Sequence, residues 1–221
     1  MNVTPATRMG ASIAVAVGIY GISFGALSVT SGLTVAQTCC LSLLMFTGGG
    51  QFAFIGSIAA GGPAALLSAS LLGVRNALYG AHMSGLLRPR GWRRLGYAQI
   101  TIDESVATTL AQSSPEEQRR GFLTAGLGVF LLWNLFTLVG ALLGNALGDP
   151  RRWGLDGAAV TAFLALLWPR LRNRDAVAVA VVAALVTAVG VPTLPAGVPL
   201  LVAAVVTAGL TLWTTRDRGA A

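Results

Sequence analysis

The sequence has no lysine, a single histidine and only two cysteines, and between Met9 and Val74 it has no charged residue of either sign. Each shortage closes off a kind of chemistry. One histidine and the adjacent pair Cys39 and Cys40 do not supply the several N, O or S ligands that a metal site needs. Neighbouring cysteines inside an apolar run form no ordinary disulfide framework and read as small core residues. No believable nucleophile triad accompanies His82, so the residues do not favour an enzyme, and no cofactor is expected. His82 itself, near the end of its apolar segment, reads as an interfacial polar residue rather than a proton relay.

What is present is apolar. The 221 residues are 54% hydrophobic and 10% charged, with a mean hydropathy of +0.72, whereas a soluble domain carries about 25% charged residues. The uncharged run from Met9 to Val74 is 66 residues long, and one crossing of a bilayer takes roughly 20 apolar residues. The net charge of +7 comes from arginines in short clusters between apolar runs. That is the pattern of membrane loops rather than of a nucleic-acid interface. Arg8 precedes the apolar stretch Met9 to Tyr20, in the manner of a secretory signal. The run continues without a polar mature domain behind it, so cleavage is not expected.

The periodicity and the breaks predict an all-α, polytopic transmembrane bundle of about seven spans in a single domain, 1–221. The candidate helices are 10–30, 35–59, 63–87, 121–147, 154–169, 175–190 and 196–214, with a more polar segment at 95–112. Arg88, Arg90, Arg93, Arg94, Arg119 and Arg120 fall on the cytoplasmic side if 95–112 does not fully cross. This places the N-terminus outside and the C-terminus inside, and leaves Arg8, Arg151 and Arg152 on the wrong side. A re-entrant 35–59 segment is the rival arrangement, and it returns Arg8 to the cytoplasm.

Two glycine-rich stretches predict interrupted helices, one around Gly18, Gly21 and Gly25 that includes Ser23 and Phe24, the other at Gly48, Gly49, Gly50 and Gln51. Unwound backbone in a membrane is tolerated where it binds a substrate or ion. Gly140, Gly144 and Gly148, four residues apart, read instead as a face for close helix packing, filled by a partner or by the chain's own helices. A weak echo links Gly25-Ala26-Leu27 to Gly140-Ala141-Leu142, and the expectation is that two such copies are inverted.

Arg75 sits at the midpoint of 63–87, on one stripe with Ser68, Leu72, Tyr79 and His82. A guanidinium at that depth costs at least about 2.5 kcal/mol and must meet an anion. Asp103 and Glu104 are the only acids in the middle of a candidate intramembrane segment. They either bridge Arg75 statically or serve a substrate or proton site.

Several of these stretches together resemble the AzlC-type permeases, branched-chain amino acid exporters. The likeness covers roughly residues 10 to 175. It is carried by Phe24-Gly25 with Gly32-Leu33, and by Phe46-Thr47-Gly48-Gly49-Gly50-Gln51-Phe52, similar to Phe-Ala-Gly-Ala-Ser-Gln-Phe. Arg75-Asn76-Ala77-Leu78-Tyr79-Gly80 is similar to Arg-His-Leu-Leu-Tyr-Gly, and Asp103-Glu104-Ser105-Val106-Ala107 to Thr-Asp-Glu-Ala-Phe-Ala without its threonine. Gly154-Leu155-Asp156 matches a further Gly-Leu-Asp. The chain departs at Gly73 and Asn76, where the family often has asparagine and histidine beside the arginine. The resemblance implies a multi-pass protein of the bacterial inner membrane, working with a small AzlD-type membrane subunit on a small amino-acid substrate. In the resulting scheme Arg75 holds the carboxylate, with Tyr79, Asn76, Ser23 and Phe24 near the ligand. The backbone at Gly48, Gly49, Gly50 and Gln51 offers hydrogen bonds, and Asp103 or Glu104 takes the ammonium or a coupling proton. Export of another small organic anion or amino acid is the alternative, and a non-transporting membrane protein a more distant one.

Overall fold

The computed structural model describes residues 4–60, 63–147, 164, 167–168, 171–195 and 198–219. Every regular element among them is helical: α1 Pro5–Gly18, α2 Tyr20–Thr30, α3 Val35–Leu44, α4 Gly49–Ala60, α5 Pro63–Leu87, α6 Arg93–Gln99, α7 Asp103–Leu110, α8 Pro115–Leu147, α9 Arg174–Gly190 and α10 Val198–Gly219. The candidate span 154–169, with Gly154, Leu155 and Asp156, lies for the most part outside the described residues, as does Gly148.

The long helix α8 organises the rest. Phe122, Ala125, Val129, Trp133, Thr137 and Ala141 recur along it at three- and four-residue steps, and all are buried. Leu127, Leu131, Leu135, Leu138 and Leu142 follow the same spacing on the other side and are exposed. A leucine stripe of that length is not stable in water; it is the face of a helix that lies against lipid. Among the described residues, two helices suit a membrane crossing by length and composition, Pro5–Thr30 and Pro115–Ala146.

α1 and α2 lie along the buried face of α8. A Cβ on Gly10 would come within 2.9 Å of the Ala125 nitrogen, and one on Gly21 within 2.6 Å of the Trp133 carbonyl oxygen. A Cβ on Gly25 would collide with the Thr137 carbonyl, one on Gly140 with the Ile22 carbonyl, and one on Gly144 would meet Ala26 Cα at 2.9 Å. Only glycine permits such backbone contact, and in lipid this packing holds helices together in place of a hydrophobic effect.

Three expectations are corrected here. The stretch around Gly18, Gly21 and Gly25 is interrupted at Ile19, where α1 ends and α2 begins, but it is not an unwound site. Ile19 keeps helical angles of φ −56° and ψ −32° between α1 and α2, and the glycines serve packing. The groove of Gly140 and Gly144 is filled by this chain's own α2. The residue pairs in contact also increase in number together, from 10 against 125 to 26 against 144, so α1–α2 and α8 run parallel. The echoing segments are therefore not inverted, and Arg8 lies at the same end as Arg119 and Arg120, not opposite them.

Parallel packing requires the intervening chain to return to its starting end, and the contacts trace how. Thr34 begins α3 beyond the end of α2, its hydroxyl accepting from the Gln37 N–H at 3.2 Å while the Gln37 Oε1 accepts from the Thr34 N–H at 2.8 Å. Ser42 then meets Thr137, and Phe46 packs edge-on against Phe130 with centroids 5.1 Å apart. From that apex α4 turns back, its Phe52 lying against Phe24 and Trp133. It packs next on α5. The α5 chain descends until Met83 and Leu87 reach Phe122. A second, shorter excursion starts from this lower end. α6 rises from the Arg88–Arg94 cluster to Ile100, which touches Gly126, and α7 falls back past Gly121. Segments 35–59 and 95–112 are thus each a pair of short helices with an apex inside the protein, which for 35–59 is the re-entrant arrangement weighed against a full crossing. α9 and α10 form the hairpin expected around Pro192 and Pro195, and α10 packs on α5.

Candidate functional site

The two apices come from opposite ends of the bundle and approach each other, and Arg75 lies at the α6–α7 one. Gln99, the last residue of α6, donates from Nε2 to the Leu43 carbonyl at 2.7 Å, linking the α6–α7 excursion to the end of α3. Arg75 Nη2 lies 2.6 Å from Asp103 Oδ2, with the two side chains 33% and 22% exposed. Its guanidinium carbon is 5.9 Å from the Tyr79 ring centroid, a cation–π contact. Arg75 Nε is enclosed without a hydrogen-bond partner among the described residues. The fork is therefore only partly engaged by Asp103, and a planar guanidinium can serve two carboxylates at once.

The α6–α7 apex is fixed by hydroxyls. Ser105 Oγ accepts from the Ile102 N–H at 3.0 Å and donates to the Ile100 carbonyl at 2.9 Å. Thr101 Oγ1 donates to the Tyr97 carbonyl at 2.6 Å, and Asn76 Nδ2 reaches the Thr101 carbonyl at 3.4 Å. Asp103 is thereby set at the first position of α7, where the helix dipole favours a carboxylate. Glu104, the next residue, is half-buried, and its carbonyl accepts from Thr108 Oγ1 at 2.7 Å.

The other apex is the interruption expected at the glycine triplet. Helix α3 stops at Leu44, residues 45–48 are non-helical, Gly48 takes φ +58°, and α4 starts at Gly49. Gln51 folds back over this start: its Oε1 accepts from the Gly48 N–H at 3.1 Å, and its own N–H donates to the Gly48 carbonyl at 3.0 Å. The side chain is completely buried, yet Nε2 has no acceptor among the described residues. An unmet buried donor costs about 1–3 kcal/mol, which marks the group as poised for something else. Trp133 Nε1, 4% exposed, is likewise without an acceptor.

Of the residues singled out in the sequence, Arg75, Tyr79, Asn76 and Asp103 gather around the α6–α7 apex. Phe24 lies instead with Phe52 and Trp133 beside the α4 start, their ring centroids 5.5 to 6.2 Å apart. Ser23 is buried on α2. The spacing Gly21-Ile22-Ser23-Phe24-Gly25 has the form of a nucleophile elbow, but it lies inside a helix rather than on a strand-to-helix turn. His82 is exposed on α5. Trp133, Gln99 and Ser105 carry structural roles that the sequence pattern did not single out. A serine two residues after an acid was a visible hint of a tied helix start; Trp133 and Gln99 gave no local signal.

A lipid-facing helical bundle whose chain twice turns back inside the protein, with an arginine–aspartate pair where the turns meet, has the architecture of a membrane transport protein. A family model described as AzlC protein matches residues 12–147, from α1 through α8. The chain belongs to the AzlC family, which places it among membrane transport proteins of the branched-chain amino acid exporter family. Neither the curated proteins nor the solved structures contain a match to it.

Proposed function

We propose that this protein is the large subunit of an exporter that moves branched-chain amino acids out across the bacterial inner membrane, acting with a small AzlD-type membrane subunit. The observation that carries the reading is the Arg75–Asp103 pair where the α6–α7 apex meets α5. A zwitterion needs a cation for its carboxylate and an anion for its ammonium, and this pair offers both at a depth where neither is otherwise tolerated. As Asp103 releases Arg75 to take the ammonium, Arg75 takes the carboxylate, so the protein never exposes an unpaired charge to lipid. Asn76 and Tyr79 position the guanidinium, and Asp103 or Glu104 serves as the proton acceptor if transport is proton-coupled. The half-buried aromatic and aliphatic groups around Phe46, Phe52 and Phe130 suit an aliphatic side chain.

The sidedness follows from charge. Arg8, Arg119, Arg120 and the cluster Arg88 to Arg94 gather at one end of the bundle, and basic ends of membrane bundles face the cytoplasm. In this orientation the α6–α7 excursion opens to the cytoplasm, where an exporter loads. The test is efflux of labelled valine, leucine and isoleucine from cells with and without the protein and its partner. Efflux that does not rise when both are present overturns the assignment; equal efflux from this chain alone in liposomes overturns the two-subunit reading.

A further inference from the structure

We propose that the N-terminus of α4 is a carboxylate subsite, separate from the Arg75–Asp103 pair. The helix is 12 residues long, and the N–H groups of Gly49 and Gly50 at its start have no acceptor within it. Because Gln51 Oε1 is held by the Gly48 N–H at 3.1 Å, Nε2 of the same amide is fixed beside these groups. It is fully buried and, among the described residues, without an acceptor. Trp133 Nε1, a second buried donor without an acceptor, lies on the ring packed against Phe52, the residue after Gln51. The assembled groups are donors at the positive end of a helix, which suits an anion and repels a cation. Gly50 leaves room for the Thr47 hydroxyl at this helix start, since a Cβ there would come 2.5 Å from Thr47 Oγ1.

The rings of Phe24, Phe52 and Trp133 wall this region, which selects a carboxylate with a small aliphatic body over inorganic anions. Its independence from Arg75 rests on packing. Phe52 and Trp133 belong to the cluster that includes Phe24, Phe46 and Val129, whereas Tyr79, beneath Arg75, packs against the one built on Met83, Val106 and Phe122, with Phe130 in contact with both. The identity of the natural ligand as an amino acid rests on the exporter reading; the existence of the site does not. An exporter with two carboxylate stations can hand its substrate from one apex to the other without releasing the charge into lipid.

The experiment measures thermal protection of the purified protein in detergent by isobutyrate, isobutylamine and valine, alongside labelled valine efflux. Isobutyrate and valine raise the melting temperature of the wild type and of Arg75→Leu, and isobutylamine does not. Gln51→Leu raises the isobutyrate concentration for half-maximal protection at least tenfold. Gln51→Glu keeps the acceptor for Gly48 and the shape of the side chain, so it folds if Gln51→Leu does not, and it abolishes protection by placing a negative charge where the donor was. Unchanged protection in the Gln51 variants, or its loss in Arg75→Leu, overturns the separate site. Valine efflux with no isobutyrate effect removes the subsite and leaves the exporter; isobutyrate protection that depends on Gln51, without efflux of any branched-chain amino acid, does the reverse.

Discussion

Removing the two charges at the centre of the protein singly and together separates their structural from their transport role. Arg75 Nη2 and Asp103 Oδ2 are 2.6 Å apart and the side chains are 33% and 22% exposed. For charge centres ~4 Å apart at an effective dielectric of about 20, the attraction is about 4 kcal/mol, and partial exposure brings it to about 2 kcal/mol. The two single variants are not equivalent. Asp103→Leu strands a guanidinium that cannot shed its proton, at an insertion cost of about 2.5–3.5 kcal/mol, so it destabilises by about 2–3 kcal/mol. Arg75→Leu leaves Asp103 at the first position of α7, where the helix dipole still favours a carboxylate, so it is milder. The double variant Arg75→Leu/Asp103→Leu removes both charges and is more stable than Asp103→Leu alone. Arg75→Lys restores much of the stability through a single contact but not efflux, because an ammonium lacks the planar fork. Stability is read from denaturation followed by helical circular dichroism in detergent, and transport from valine efflux. A coupling energy below about 0.5 kcal/mol, the limit for independent sites, refutes the energetic argument. Full efflux by the double variant refutes the transport role while leaving the bridge intact.

Two further outcomes test the frame around the site. Gly25→Ala pushes a methyl into the α8 backbone at Thr137 and Ala141 and costs about 1–3 kcal/mol; Gly80→Ala, with no neighbour within 4 Å, is neutral or gains up to about 1 kcal/mol. Equal melting temperatures for the two variants contradict the tight parallel packing. In a background with Cys39 and Cys40 replaced by alanine, Arg8→Cys and Arg119→Cys are labelled by a membrane-impermeant maleimide from the same side, the cytoplasmic one; labelling from opposite sides breaks the parallel arrangement of α1–α2 and α8.

The membrane class, the helix composition and the interruption before Gly49 were legible in the sequence because each depends on local chemistry: runs without charge, and consecutive glycines that weaken a helix. The pairing of Arg75 with an acid was legible for a different reason, since a guanidinium at mid-helix has few anions to choose from. What periodicity could not resolve was the use of each glycine. Gly25 and Gly48 look alike in the sequence, yet one presses against another backbone while the other turns the chain at positive φ. The difference lies in a partner more than a hundred residues away, on α8. Direction of crossing is equally non-local, because hydropathy counts apolar length and is blind to whether 35–59 passes through or turns back at Phe46. Once Gly10 is seen against Ala125 and Ala26 against Gly144, the two helices must point the same way. The chain between them then has to come home, and the short helices α3, α4, α6 and α7 are the pieces by which it does so. The same constraint that turns 35–59 back at Phe46 brings Asp103 to Arg75 and leaves Gln51 buried at the start of α4.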